Sequence, residues 1–247
     1  MILRLENVTK RFGGVVAVAD CTLALPEGIL CGLVGPNGSG KTTLFNLIAG
    51  VLRPDAGQIL YEETRIDGLR PHKIVRLGLG RTFQTTRLFA SLDVRQNVML
   101  GDQSSASTFE KERKASSRLE DFGIAGLSDT RAGDLSFGQQ RLVELARTLM
   151  GEPRLIILDE PFAGLAPTMV DELAAHLRSL HEQGVTLLLV EHNLELVISL
   201  CSHLFVLETG RVIAQGPPDE VCRMPPVIDA YLGTELDFTG TGDAAAH

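Results

Sequence analysis

The decisive stretch of this sequence is Gly35-Pro36-Asn37-Gly38-Ser39-Gly40-Lys41-Thr42-Thr43, which matches the pattern Gly-x4-Gly-Lys-Ser/Thr of a phosphate-binding loop. Glycines at this spacing let successive backbone N–H groups converge on phosphate oxygens, and the following helix presents its positive end to the same anion. Lys41 would bring a full charge to the outer phosphates, and Thr42 would offer a hydroxyl to Mg²⁺. The alternative is a glycine-rich turn that binds no ligand.

The residues on either side of this stretch favour the phosphate-binding loop. Residues 29–34 are an uninterrupted apolar run, which predicts a buried strand, and residues 41–49 predict a helix that Gly50 ends. Two more apolar runs, at 155–158 and 185–190, are separated by a helical pattern at 169–183. Buried strands that alternate with helices indicate an α/β fold with a parallel sheet.

Further strands and one polar helical region complete the predicted organisation. Alternating runs at 2–8 and 15–25 predict half-exposed strands, and shorter strands are predicted at 204–207 and 211–215. The segment 104–123 is polar and charged, with an amphipathic pattern at about 109–122.

The composition is that of an ordinary globular protein. The 247 residues are 44% hydrophobic and 22% charged, and this apolar content excludes disorder for most of the chain. The net charge of −8 argues against general binding to nucleic acid, which needs a basic surface. No apolar stretch approaches the roughly 20 residues of a spanning helix, and Arg4 and Glu6 do not suit a signal peptide. We therefore expect a soluble cytoplasmic protein. Its cysteines are expected to be buried free thiols, namely Cys21, Cys31, Cys201 and Cys222.

Two acidic side chains follow the second apolar run. Asp159 and Glu160 come directly after residues 155–158, and a carboxylate at the carboxyl end of a buried strand lies beside the nucleotide in sheets of this kind. Asp159 would hold Mg²⁺ through water, and Glu160 would polarise the attacking water as a general base. Taken alone, Asp-Glu after a strand is more often a solvated turn; the upstream loop favours the site.

A third segment marks the start of a helix. In Leu135-Ser136-Phe137-Gly138-Gln139-Gln140, Ser136 and Gln139 have the spacing of a capping box. A helix start with an exposed serine and a glycine could equally bind an anion. The residues by themselves leave both interpretations open.

Together these motifs resemble the nucleotide-binding subunit of ATP-binding cassette (ABC) transporters, over nearly the whole chain to about Gly233. Residues 135–139 are similar to the signature Leu-Ser-Gly-Gly-Gln of that family, with Phe137 in place of the first glycine. The resemblance implies a P-loop NTPase fold: a RecA-like parallel sheet core, an antiparallel β subdomain and a helical insertion at about 85–150. It implies one domain over 1–233 and a flexible tail over 234–247.

The same resemblance implies ATP and Mg²⁺ as cofactors and assigns the residues around them. The residues implied to contact nucleotide are Phe12, Val18, Gly35, Pro36, Asn37, Gly38, Ser39, Gly40, Lys41, Thr42, Thr43, Ser136, Gly138 and Gln139. Those implied in catalysis are Lys41, Gln84, Glu160 and His192, and those implied at Mg²⁺ are Thr42, Gln84 and Asp159.

Several of these roles depend on the family pattern alone. Phe12 would stack on adenine, although a packed loop aromatic is the alternative. His192 would touch the γ-phosphate, whereas a lone histidine there is usually a surface turn residue. Ala166 departs from the pattern, because many members have Asp at this position and some have Asn. In the family, that residue normally helps to couple the two ATP sites across the dimer.

Other stretches resemble the ATPase subunits for high-affinity uptake of branched-chain amino acids: 12–18, 80–84, 87–89 and 227–233. This resemblance implies a second nucleotide-binding subunit, paired head to tail so that Ser136 and Gly138 complete the site of the other chain. It also implies two membrane permease subunits, with residues 85–89 facing them, and indirectly an extracytoplasmic solute-binding protein, but no nucleic acid. The chain would lie on the inner face of the cell membrane.

Three other functions remain open on the sequence. An exporter of lipid or lipopolysaccharide would share every ATP motif. A weakly hydrolysing regulatory module is suggested by Ala166, although Glu160 and His192 are retained. A chromosome-maintenance or repair ATPase would need coiled-coil or DNA-binding regions that are not found here.

Overall fold

A six-stranded, mainly parallel sheet forms the centre of the computed structural model, which describes residues 1–82 and 86–232. In chain order its described strands are β1 (Leu3–Phe12), β2 (Val15–Leu25), β3 (Leu30–Val34), β4 (Ala56–Tyr61), β5 (Thr64–Arg65), β6 (Leu79–Arg81), β7 (Leu155–Asp159), β8 (Thr186–Val190), β9 (His203–Glu208) and β10 (Arg211–Gly216). The described α-helices are α1 (Lys41–Ile48), α2 (Pro71–Arg76), α3 (Val94–Met99), α4 (Thr108–Asp121), α5 (Phe137–Leu149), α6 (Pro167–Glu182), α7 (Leu194–Leu200), α8 (Pro218–Val221) and α9 (Pro225–Leu232).

The central sheet has the strand order β10-β9-β3-β8-β7-β6. Every residue of β3, β7 and β8 is buried, as their uninterrupted apolar sequences predict. These three strands are parallel neighbours, with Leu33 opposite Val190 and Asp159 opposite Val190. Their carboxyl ends therefore meet at one edge, where the segments after each strand emerge.

The two faces of the sheet are covered by different parts of the chain. Leu30 and Val34 pack into a cluster with buried residues of α5, α6 and α7. Cys31 and Leu33, which alternate with them along β3, pack into a second cluster with α1 and with residues of β1 and β2. The α/β fold with a parallel core is thus confirmed.

A second, antiparallel sheet has the order β2-β1-β4-β5. The alternating sequences of β1 and β2 place one set of side chains in the core and leave the other accessible, which confirms the prediction of half-exposed strands. The described part of the region 85–150 is mostly helical and contains α3, α4 and α5. The domain boundary at residue 233 and the flexible tail over 234–247 lie outside the described residues and remain predictions.

The strand β6 was not predicted, because its stability comes from a partner that is distant in the chain. The three residues of β6 include Gly80 and show no strand pattern; they form a strand since Leu79 and Arg81 pair with Leu155 and Ile157 of β7. The two-residue strand β5 was not predicted either, and it forms by pairing with the adjacent β4, with Tyr61 opposite Thr64.

All four cysteines are free thiols, and three of them are buried, as expected from their apolar surroundings. Burial, with a smaller contribution from Asp20, raises the pKa of Cys21 to about 12. Among the described residues, no helix has the length and apolar character needed to cross a membrane.

The close contact between β3 and α7 gives a test of the packing. A methyl group added to Gly32 would collide with Val197 and lie 2.8 Å from Leu204 Cδ2. We expect Gly32→Ala to lower the free energy of unfolding by about 1–3 kcal/mol, because overpacking forces neighbouring side chains to shift. Urea unfolding measures the change. Gly68→Ala is the control, since nothing lies within 4 Å of its added methyl group; equal midpoints for both variants would contradict the packing described.

Candidate functional site

The loop 35–43 leaves the carboxyl end of β3 and enters α1, as the motif predicts. Gly40 is the N-cap of α1 and has a left-handed φ of 104°, which favours glycine. A side chain at Gly35 would collide with the carbonyl of Leu207, and one at Gly40 with the carbonyl of Ala17. The loop thus packs closely against the chain behind it, and its backbone N–H groups can face a ligand in front.

Lys41 lies at the start of α1 and is only 8% exposed. Its ammonium group donates hydrogen bonds to the carbonyls of Gly35 (2.6 Å) and Pro36 (3.1 Å), so it is folded back over the loop. Burial lowers the pKa of Lys41, and the carboxylates of Glu160, Asp159 and Glu191 oppose this shift. A buried cation therefore faces three acidic side chains.

Asp159 and Glu160 lie at the carboxyl end of β7, beside the loop. Burial, and then the charge of Glu160, raises the pKa of Asp159 to about 6, while Arg81, Arg141 and Lys41 act in the opposite direction. A divalent cation beside Asp159 would offset both the desolvation of its carboxylate and the repulsion by Glu160, so the Asp159 carboxylate fits Mg²⁺.

The backbone at Glu160 is held in an unusual conformation. Its φ is 46°, in the left-handed region that non-glycine residues seldom adopt. The Glu160 N–H donates a 2.9 Å hydrogen bond to the carbonyl of Val190, the last residue of β8. Local strain of this type persists where surrounding structure fixes it, and it is concentrated at functional sites.

His192 follows β8 and lies beside Glu160. Its Nδ1 is 3.9 Å from Glu160 Oε1 and 3.9 Å from Glu191 Oε2, and its side chain is 58% exposed. The structure therefore brings together Lys41, Asp159, Glu160 and His192, as the sequence predicted. Gln84 lies outside the described residues.

The residues expected at adenine differ in exposure. The ring of Phe12 is accessible at the end of β1 (48% exposed), and the Lys10 ammonium lies 5.6 Å from its centroid. Val18, by contrast, is fully buried, so its side chain offers no open surface. Val15, opposite Phe12 in the β1–β2 ladder, is 67% exposed and was not singled out. Strict alternation with the buried Cys21, Leu23 and Leu25 would bury position 15 as well, and the register shifts along the β1–β2 ladder accompany its exposure.

The Ser136 segment forms the N-terminus of α5. The capping box is confirmed: Ser136 Oγ accepts from the Gln139 N–H (3.3 Å), and Gln139 Oε1 accepts from the Ser136 N–H (2.9 Å). A methyl group at Gly138 would lie 2.8 Å from Met169 Cε in α6. None of the hydrogen bonds found for Ser136, Gly138 and Gln139 within the described residues reaches the loop 35–43.

Ala166 is the N-cap of α6 and makes no side-chain capping bond. Two residues before Ala166, Gly164 lies beside the ring of Phe137, which would be 3.5 Å from a methyl group placed on Gly164. The guanidinium of Arg141 lies 5.4 Å from the centroid of the same ring. The segment after Glu160 is thus packed against the start of α5 in the same chain.

Glu191 was not identified as a site residue from the sequence. It follows β8 directly and is only 2% exposed. Burial raises its pKa, and hydrogen bonds from the Phe162 and His192 backbones oppose that shift. The signal available in the sequence was an acidic residue between an apolar strand and His192.

Two family models match this chain. One, described as ABC transporter, matches residues 18–163. The other, described as branched-chain amino acid ATP-binding cassette transporter, matches residues 211–237.

Similar proteins include both curated sequences and solved structures. The high-affinity branched-chain amino acid transport ATP-binding protein BraF of Pseudomonas aeruginosa is 38% identical, over 94% of this chain and 98% of its own. The ADP conformation of MJ1267, an ATP-binding cassette of an ABC transporter, has a TM-score of 0.86 at 34% identity, over 94% of this chain and 98% of that one. The dimeric structure of MJ0796, a bacterial ABC transporter cassette, has a TM-score of 0.79 at 25% identity, over 87% of this chain and 98% of that one.

The raised pKa of Asp159 predicts a stability effect with a defined sign. The folded state binds this proton more tightly than the unfolded chain, so ionised Asp159 destabilises the fold above about pH 6, and the penalty fades as the pH falls toward 4. We expect Asp159→Asn to raise the free energy of unfolding of the nucleotide-free protein at pH 8 by about 1–3 kcal/mol, since one pKa unit corresponds to about 1.4 kcal/mol. Denaturant unfolding at both pH values measures it.

Asp67 supplies a control of opposite sign. Its pKa is lowered despite desolvation, because Arg65 and the Ile59 N–H bind the carboxylate. Asp67→Asn should therefore lower stability at pH 8. A loss of stability for Asp159→Asn at that pH would contradict the electrostatic account.

Proposed function

This chain belongs to the ABC transporter family, and from that premise we propose that it binds and hydrolyses ATP to energise the uptake of branched-chain amino acids. The observation that carries the proposal is the convergence of the loop 35–43, Asp159, Glu160 and His192 at the carboxyl edge of the parallel sheet. The similarity to importer ATP-binding proteins over 94% of the chain supports the choice of solute.

Nucleotide binding depends on the loop and the residues beside it. Backbone N–H groups of the loop and the N-terminus of α1 attract the phosphates, and Lys41 exchanges its carbonyl partners at Gly35 and Pro36 for phosphate oxygens. The exposed rings and methyl groups of Phe12 and Val15 offer an apolar surface for adenine.

Mg²⁺, when bound, neutralises charge on the phosphates during transfer. Thr42 and Asp159 would hold it, with Gln84, and the raised pKa of Asp159 supports this assignment. Glu160 would accept a proton from the attacking water, and His192, 3.9 Å away, would contact the γ-phosphate.

The second half of the site would come from a second copy or a paralogue. Ser136 is exposed at the N-terminus of α5, Gly138 in the first turn is buried, and both belong to the signature motif of the family. A helix N-terminus with backbone N–H groups suits an anion, so the segment would contact the γ-phosphate held by the partner's loop. The dimeric MJ0796 cassette, at 25% identity, supports such an assembly.

The remaining partners follow from the transporter family. Two permease subunits would form the pathway, with this chain at the inner face of the membrane and a solute-binding protein outside. The match of residues 211–237 to a branched-chain amino acid transporter model favours import over the export of lipid or lipopolysaccharide.

Hydrolysis is tested by removing the proposed general base. Glu160→Gln should lower kcat by about 10²–10⁴-fold, since the amide cannot accept a proton, while MgATP binding is retained. Steady-state phosphate release and nucleotide titration measure the two quantities. Glu182→Gln, at the exposed end of α6, is the matched control and should leave both unchanged. Equal rates for wild type and Glu160→Gln would contradict the proposal.

Transport is tested separately, in cells of the source strain. Replacing the wild-type chain by the Glu160→Gln variant should abolish uptake of labelled leucine, because a closed dimer that cannot hydrolyse ATP blocks the transport cycle. Reintroducing the wild-type chain should restore uptake. The permease that co-purifies with the wild-type chain should belong to an importer. Recovery of an export permease, or unchanged leucine uptake, would contradict the branched-chain assignment and leave the ATPase assignment in place.

A further inference from the structure

The strongest unassigned feature of the site is the buried carboxylate of Glu191. Its backbone N–H donates a 3.2 Å hydrogen bond to the carbonyl of Leu33 in β3, which fixes the residue at the sheet edge. Its side chain is 2% exposed and turns toward the loop that follows β7. Charged residues are seldom buried to this degree without a specific set of partners.

Glu191 accepts hydrogen bonds from two separate segments. Oε1 accepts from the backbone N–H of Phe162 at 3.3 Å, and Oε2 accepts from the backbone N–H of His192 at 3.3 Å. Phe162 lies two residues after Glu160. One carboxylate thus connects the segment that carries Glu160 to the segment that carries His192.

We propose that Glu191 is a positioning residue for ATP hydrolysis, whose carboxylate fixes the Glu160 and His192 segments relative to each other. The inference rests on the proposed ATPase function and adds a residue to it. Glu191 itself makes no contact with the reacting atoms in this scheme. Its effect is on the relative placement of Glu160 Oε1 and His192 Nδ1, which lie 3.9 Å apart.

The chemistry of the position requires a carboxylate. Each oxygen of an ionised carboxyl group accepts a hydrogen bond, so both N–H groups are satisfied at once. A glutamine offers one acceptor oxygen and turns an N–H₂ group toward the second donor. An aliphatic side chain would remove the acceptors of the buried Phe162 N–H and of the partly buried His192 N–H.

The buried charge of Glu191 also distinguishes a positioning role from a purely structural one. Burial raises the pKa of Glu191 and makes the ionised form costly. Its charge also acts on Lys41, together with those of Glu160 and Asp159. If this residue served only the fold, an uncharged side chain of similar volume would suffice, because replacing buried charged groups in this way often costs no stability.

The test compares Glu191→Gln and Glu191→Asp with wild type by steady-state ATP hydrolysis, nucleotide binding and thermal unfolding. Glutamine keeps the volume and loses one acceptor; aspartate keeps the charge and is too short to reach both donors. We expect kcat to fall by about 10-fold or more in both variants, because misplacement of a catalytic group by about 1 Å costs up to about 100-fold. KM for ATP should stay within about twofold.

Asp67→Asn is the control, since Asp67 also accepts a backbone hydrogen bond, from Ile59 at 3.1 Å, but lies in the antiparallel sheet. It should lower the unfolding temperature and leave kcat unchanged. The proposal is overturned if kcat of both Glu191 variants equals that of wild type, or if kcat falls only in parallel with nucleotide affinity and folded fraction. Failure of both variants to fold would make Glu191 a structural residue and also overturn it.

The wild-type measurement separates the two levels of inference. A wild-type chain without ATPase activity would defeat the proposed function and this inference together. An active wild type with unaffected Glu191 variants would defeat the positioning role alone.

Discussion

The parallel pairing of β3, β8 and β7 is the constraint on which the rest of the molecule depends. Parallel strands end at the same edge, so the segments that leave them are neighbours although they are far apart in the chain. The loop after β3 carries Lys41, the turn after β7 carries Glu160, and the turn after β8 carries His192. A register shift in any of the three would separate these groups.

The convergence of these segments concentrates charged side chains at the carboxyl edge of the sheet, where Lys41 and Asp159 are buried. Lys41 donates hydrogen bonds to the carbonyls of its own loop, while burial and repulsion by Glu160 raise the pKa of Asp159. The ionised Asp159 carboxylate therefore opposes folding, and a bound divalent cation would offset its charge. The left-handed φ of Glu160 has the same character, since the backbone hydrogen bond to Val190 holds a conformation that the residue alone disfavours. The site is therefore stabilised by the sheet around it.

The start of α5 has a different relationship to this edge. Ser136 and Gln139 satisfy each other in a capping box, and Gly138 permits close packing on Met169 of α6. The ring of Phe137 lies beside Gly164 in the loop before α6, and Ala166 supplies no side-chain cap to that helix. The signature segment and the loop after Glu160 thus lie close together within one chain.

The sequence by itself determined the phosphate-binding loop, the three buried strands, the half-exposed strands β1 and β2 and the capping box, because each depends on local spacing and apolar periodicity. It also determined Lys41, Asp159, Glu160 and His192 as candidates, since each follows or ends a recognisable strand or loop. Only the tertiary structure decided that β6 is a strand, that Val18 is buried, and that Glu191 bridges the segments that carry Glu160 and His192. Those facts depend on contacts between residues distant in the chain, and such contacts leave no periodic trace in the sequence.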